Sequence, residues 1–229
     1  MEHSTKRKIV VIMGSTGAGK SRLSMDLASR FFKNSEIINC DKMQVYSGLD
    51  ITTNKITMQE QFDVPHHLLG AIDPSKSEFT PSDFRKVASE IISDIKSRRG
   101  LPLVVGGSSS LIYSLVTKRY DQKTDVFNGP NLCPISTEFR YDCCFIWVDV
   151  SLPVLNNYLS KRVDEMLDAG MFDELMDYFR SKKHGNRVDA TEAFRAVMAA
   201  ESRGGRVAEM WEKQVVEPSV KIVKHFLDE

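Results

Sequence analysis

Short apolar runs alternate with longer stretches in which apolar residues recur every three or four positions. Lys8 to Met13, Glu36 to Asn39, Leu101 to Val105 and Cys143 to Val150 read as strands. The first and third lack the in-out alternation of a half-exposed sheet, which is the pattern of strands covered on both faces. Between them, Thr80-Pro81-Ser82-Asp83 carries a capping hydroxyl, a proline at the first helical position and an acidic residue three on, and so predicts a helix start. Phe84, Val87, Ile91, Ile92 and Ile95 then form one stripe that ends before Gly100. A further helix is predicted from Ser151 to about Ala169, with Leu155, Tyr158, Leu159, Met166 and Leu167 on one face and Arg162 at the centre of that face. From Phe172 onward the chain reads as helical, interrupted at Ser181 to Gly185 and Ser202 to Gly205. Pro218 marks a kink or a new start. Asp121 to Tyr141 breaks every pattern and reads as a surface loop. Strands alternating with helices predict an α/β fold with a mostly parallel sheet flanked by helices. Its core would occupy residues 1–170, and a C-terminal helical segment residues 171–229.

Composition narrows the classes. At 229 residues and 41% apolar content before the 13 glycines are counted, the chain can bury a core, which excludes disordered, collagenous and coiled-coil chains. Lys and Arg total 31, as do Asp and Glu, so no overall basic field attracts nucleic acid, and an anionic ligand must be held by a local cluster. Ile9 to Met13 is far shorter than the roughly 18–20 residues of a membrane span. Cys40, Cys133, Cys143 and Cys144 form no CxxC pair, which argues against zinc and a disulfide framework and for an intracellular compartment. Pro65-His66-His67-Leu68-Leu69 offers adjacent imidazoles pointing opposite ways on an extended segment. That is a poor metal site and suits packing or loop attachment better.

The chemistry concentrates at Gly14-Ser15-Thr16-Gly17-Ala18-Gly19-Lys20-Ser21, which satisfies GxxxxGK[ST] between a predicted strand and the amphipathic stretch Arg22 to Phe32. Glycines let successive N–H groups turn toward one point. Lys20 adds a full charge, and Ser21 can ligate Mg²⁺. A P-loop for a di- or triphosphate is therefore expected, on a sheet of the P-loop NTPase-like kind. Asp41 ends the second strand, at the edge where open α/β sheets bind ligands. It suits a general base, a metal-shell carboxylate or a turn residue, and Asp149 competes for the same role at the end of another strand. Gly106-Gly107-Ser108 repeats the arrangement of strand, glycine turn and helix start. Arg162, set in an apolar stripe, needs an anionic partner, either a structural carboxylate or a substrate. Arg119 could reach the mouth of the site, whereas Lys118 and Lys161 read as solvated. The residues alone point to a P-loop enzyme acting on small phosphorylated molecules, with a kinase as the default.

Gly14 to Ser21, Asn39 to Tyr46, Leu49 to Lys55, Val64 to Leu69, Gly106 to Tyr113, and Lys161-Arg162-Val163-Asp164 with Gly170 together resemble the successive motifs of the dimethylallyl (isopentenyl) transferases. Arg140 to Phe145 and Trp211 to Glu229 are similar to its plant adenylate branch, which makes cytokinin precursors. The resemblance implies that dimethylallyl diphosphate and an adenine nucleotide are the partners. No phosphoryl group moves; the prenyl group passes to N6 of adenine and diphosphate leaves. Asp41 would accept the N6 proton. Thr16, Lys20 and Arg119 would hold the diphosphate, with Mg²⁺ at Ser21. Thr53 would help seat the base, and Arg162 with Gly107 and Ser108 would assist. The remaining P-loop residues Gly14, Ser15, Gly17, Ala18 and Gly19 would line the phosphate site.

A plastid or the cytosol is the compartment this implies. Within the family, a tRNA-modifying enzyme is the alternative, which balanced charge and the absence of CxxC disfavour. The chain departs from the family where Arg180 to Gly185 runs almost directly into Asn186 to Thr191. There a helical subdomain that would carry nucleotide-phosphate-binding residues is expected to be missing, through a stretch lost from the sequence in hand or a true internal deletion.

Overall fold

A computed structural model describes residues 6–76, 78–122, 137–181 and 217–228. The elements run β1 (Lys8–Gly14), α1 (Lys20–Asp26), β2 (Ser35–Asn39), β3 (His66–His67), α2 (Pro81–Ser97), β4 (Leu101–Val105), α3 (Ser109–Val116), β5 (Asp142–Val148), α4 (Leu152–Asp168), α5 (Met171–Ser181) and α6 (Glu217–Asp228). A π-helical turn, Leu27–Phe31, continues α1. All five strands are parallel, in the order β3-β2-β4-β1-β5. Every carboxyl end therefore lies along one edge of the sheet.

Side chains alternate across each strand, so β1 feeds two cores. Val10 and Ile12 pack with Leu23 and Leu27 of the first helix, with Leu103, Ile146 and Val148, and with Val220 and Val223 of α6. Ile9 and Val11 pack on the other face with Val104, with Phe84, Ala88 and Ile92 of α2, and with Leu111 and Leu115 of α3. Neither face of β1 meets water, which is why its sequence shows no alternation. The capping box of α2 forms as read: Thr80 Oγ1 accepts from the Asp83 N–H at 3.2 Å, and Asp83 accepts from the Thr80 N–H at 2.9 Å. Arg85 of α2 donates to the Ser114 and Thr117 carbonyls, the latter at 2.7 Å, and so closes the carboxyl end of α3.

Three expectations are adjusted. Cys143 to Val150 shifts to Asp142–Val148. His66–His67 forms a two-residue edge strand, where His66 Nδ1 lies 2.8 Å from the Val64 carbonyl and His67 Nε2 lies 2.7 Å from Glu36. The apolar face of α4 is largely uncovered among the described residues: Leu155 alone is buried, Tyr158 is 51% exposed, and Arg162 is half-buried. Pro218 falls in the first turn of α6, so it marks a start. Cys133, Trp211, most of the Asp121 to Tyr141 loop and the 182–191 junction lie outside the described residues.

Candidate active site

The loop after β1 is shaped by its glycines. A Cβ on Gly14 would sit 2.2 Å from the Val148 carbonyl oxygen, so only glycine lets β1 and β5 end side by side there. Gly17 and Gly19 hold φ of 80° and 95°, which turns the chain so that α1 begins at Lys20. The N–H groups of Thr16, Gly17 and Gly19 bond nothing among the described residues, which leaves them for an anion. Lys20 Nζ donates inward to the Gly14 and Ser15 carbonyls, at 3.0 and 2.7 Å. Thr16 and Ser21 are exposed at the mouth, and Ala18 is buried beneath it.

Three neighbours converge on Lys20. Gly107 follows β4, and a Cβ there would lie 3.7 Å from Lys20 Nζ. Asp41 follows β2 and attracts the ammonium, while Arg162 reaches it from α4 and repels it. Burial, as the largest influence, pushes the Lys20 pKa down, Asp41 works against that, and Arg162 adds to it. The carboxylate acting on Lys20 is thus Asp41 and not Asp149, which is exposed and accepts from the Val150 N–H at 3.0 Å. Asp41 Oδ1 also accepts the N–H groups of Met43 at 2.8 Å and Gln44 at 3.2 Å, so the turn role and the place beside the P-loop coexist. Ser108 Oγ accepts from the Lys42 N–H at 3.1 Å and ties the β4 loop to that turn.

Arg162 forms no hydrogen bond or ion pair among the described residues. Among the described residues no carboxylate pairs with it, although Asp50 and Glu165 line the same cavity as Arg162, and two cations face the same loop. That cavity, of about 600 Å³, has walls that include Ser47, Ile51, Asn54 and Lys55 on one side and Glu165 and Met166 on the other. Leu159, one turn before Arg162, would meet a Cβ on Gly17 at 2.7 Å, so α4 spans the distance from P-loop to cavity.

Two expected residues stand apart. Arg119 is exposed beyond the end of α3, where its charge acts on Glu138, and no described contact brings it to the P-loop. Thr53 lies in the turn beside the cavity, but its hydroxyl donates to the Leu49 carbonyl at 2.7 Å. Sequence reasoning missed Glu174 and Gln44, whose side chains hold that turn. No local pattern could have paired Glu174 with residues more than 120 positions away.

A parallel sheet with an anion-cradling loop after an interior strand, a lysine at the following helix start and a carboxylate at the next strand's end defines the P-loop class of α/β proteins. Comparison with known proteins narrows the class. The IPP transferase family profile matches residues 44–132 and 118–217. The chain is 42% identical to an adenylate isopentenyltransferase of Humulus lupulus, over 95% of this chain and 90% of that one. It is also 42% identical to adenylate isopentenyltransferase 1, chloroplastic, of Arabidopsis thaliana, over 99% and 84%. The structure of the tRNA isopentenylpyrophosphate transferase of Bacillus halodurans superposes with a TM-score of 0.66 at 25% identity, over 96% of this chain and 82% of that one.

The chain belongs to the IPP transferase family and is a prenyltransferase, so the kinase reading of the P-loop gives way. The Humulus lupulus alignment runs over 298 positions against the 229 residues here, so that relative carries positions inside the aligned region that this chain lacks. No helix among the described residues is long and apolar enough to cross a membrane.

Proposed function

We propose that this chain transfers the dimethylallyl group from dimethylallyl diphosphate to N6 of an adenine nucleotide in cytokinin biosynthesis. The observation that carries the reading is the meeting of Lys20, Arg162 and Asp41 at one loop: two cations for a departing diphosphate, and a carboxylate for an incoming amine. The N6 lone pair attacks C1 of the donor, the C1–O bond breaks, diphosphate takes the electron pair, and Asp41 accepts the N6 proton. Negative charge grows on the leaving group, so the Lys20 ammonium, the Arg162 guanidinium and the loop N–H groups favour the transition state over the bound donor.

Thr16 and Ser21 stand at the mouth, where their hydroxyls suit the diphosphate and its cation. Among the described residues no cluster of three His, Cys, Asp or Glu side chains could hold a metal. Mg²⁺ is proposed as the ion there, and the exposed Ser21 hydroxyl is the protein group that would hold it beside the diphosphate. When bound, it would neutralise charge on the leaving diphosphate.

The site is proposed to work in a plastid or the cytosol. The test is an incubation with isotopically labelled dimethylallyl diphosphate and AMP, ADP or ATP. Label in the nucleotide and donor-dependent diphosphate release are expected. Label in tRNA instead would move the chain to the tRNA-modifying branch, to which the Bacillus halodurans likeness points. Conversion of ATP to ADP with a phosphoacceptor would refute prenyl transfer.

A further inference from the structure

The cavity wall from Gly48 to Lys55 is a tight turn braced from outside as well as from within. Leu49 and Asn54, near its two ends, both have φ of 51°, a left-handed conformation disfavoured for residues with a Cβ. Within it, the N–H groups of Thr53, Asn54 and Lys55 reach back to Leu49, Ile51 and Asp50, each at 2.9 Å, the Thr53 hydroxyl donates to the Leu49 carbonyl, and Lys55 Nζ donates to the Gly48 carbonyl and to Asp50. Such a conformation persists when the surroundings over-determine it. Here two side chains from outside the turn, one of them from a distant helix, add to the internal bonds.

From α5, the Glu174 carboxylate accepts the Ile51 N–H at 3.0 Å, the Thr52 N–H at 2.7 Å and the Thr52 hydroxyl at 2.6 Å. From the turn after β2, Gln44 Nε2 donates to the Thr53 carbonyl at 3.0 Å and the Asn54 carbonyl at 2.9 Å. The donors of the 48–55 turn thus face α5, and its acceptors face Gln44. Gln44 is in turn bound through its own N–H to Asp41. A continuous series of hydrogen bonds runs from Asp41 through Gln44 and the turn to Glu174. A carboxylate in the first turn of a helix is stabilised there in any case, but both oxygens of Glu174 are committed to another segment. Desolvation raises the Glu174 pKa, and the bonds from Thr52, Ile51 and Asp50 together outweigh it, so the group stays ionised.

We propose that Glu174 is a positioning residue for the acceptor side of the reaction, holding the wall that carries Ile51, Asn54 and Lys55 in place and, through Gln44, steadying Asp41. The proposal rests on the transferase reading above and assigns the cavity to the adenine nucleotide.

The test uses the full chain with Glu174→Ala and Glu174→Gln, the second retaining one acceptor oxygen in case the first fails to fold. For Glu174→Ala the KM for the nucleotide should rise about tenfold while that for dimethylallyl diphosphate stays within twofold, and Glu174→Gln should fall between. Amide hydrogen exchange at Ile51 and Thr52 should quicken at least tenfold in both. Equal increases in both KM values, or unchanged exchange, would overturn the proposal. Should the wild-type chain transfer no prenyl group, the transferase reading fails on its own account. The positioning role is then decided by titration with ATP, where about tenfold weaker binding to Glu174→Gln supports it and equal binding overturns it.

Discussion

The ammonium of Lys20 lies 3.7 Å from where a side chain on Gly107 would begin. Gly106 beside it is constrained differently, since a Cβ there would fall 2.0 Å from the Cys40 carbonyl oxygen. Two adjacent glycines thus serve different ends, one the space for an anion and one the approach of β2 to β4. Gly107→Val should fold normally and raise the KM for dimethylallyl diphosphate at least about tenfold. Gly106→Ala should cost about 3 kcal/mol, the upper end for overpacking, because backbone rather than a flexible side chain must move. Thermal melts and steady-state kinetics on the pair check both.

Asp41 both accepts two N–H groups of its turn and faces Lys20. Asp41→Asn keeps an acceptor for the turn and removes the basic carboxylate. It should lower kcat by about 10²- to 10⁴-fold, the range for a lost general base, while calorimetry finds diphosphate binding within a few-fold of wild type. Retained turnover would show that another group takes the proton.

Arg162 repels Lys20 and has no described partner. Arg162→Met should therefore weaken diphosphate binding by about tenfold, or some 1.4 kcal/mol, without lowering Tm. Removing an unpaired charge beside another cation relieves repulsion in the free protein. A large drop in Tm would mean that Arg162 is structural.

Glu36 is buried at the start of β2 and accepts from Arg98 at 2.5 Å and lies 2.7 Å from His67 Nε2. Desolvation pushes its pKa up, and the bonds from Arg98 and His67 outweigh that, leaving it below the ordinary value. A carboxylate depressed in the folded state adds stability above its unfolded pKa, near 4.3 for glutamate, and loses it as the pH falls through the folded value. Glu36→Gln should cost about 1–2 kcal/mol at pH 7. It should also flatten the fall in stability below about pH 4.3, as denaturant titrations at pH 7 and pH 3.5 would read.

Much of this was legible in the sequence because it is local. The P-loop needs eight consecutive residues, the α2 cap needs four, and the continuous apolar character of β1 announces a strand covered twice. What escaped depends on distance. The strand at His66–His67 is too short for any period and exists through its pairing with Ile37 and Ile38. The stripe of α4 suggested a covered face around Arg162, yet the same spacing serves a helix that lays Leu155 and Leu159 against the P-loop and turns Arg162 toward a cavity. Arg119 was expected to reach the mouth of the site, and in the structure it is exposed just beyond the end of α3, where its charge acts on Glu138. Glu174 sits in the first turn of its helix like any capping-region acid, and nothing nearby in sequence reveals that it holds a turn from the other half of the chain.

Cys40 directly precedes the candidate base and is wholly enclosed, and immersion away from water drives its thiol far above the usual range. Without a thiolate, neither alkylating reagents nor mild peroxide can find a nucleophile there. A reactive sulfur next to a proton-accepting aspartate would make catalysis hostage to cellular oxidant levels. Sealed in apolar packing, it leaves the chemistry one position away indifferent to them.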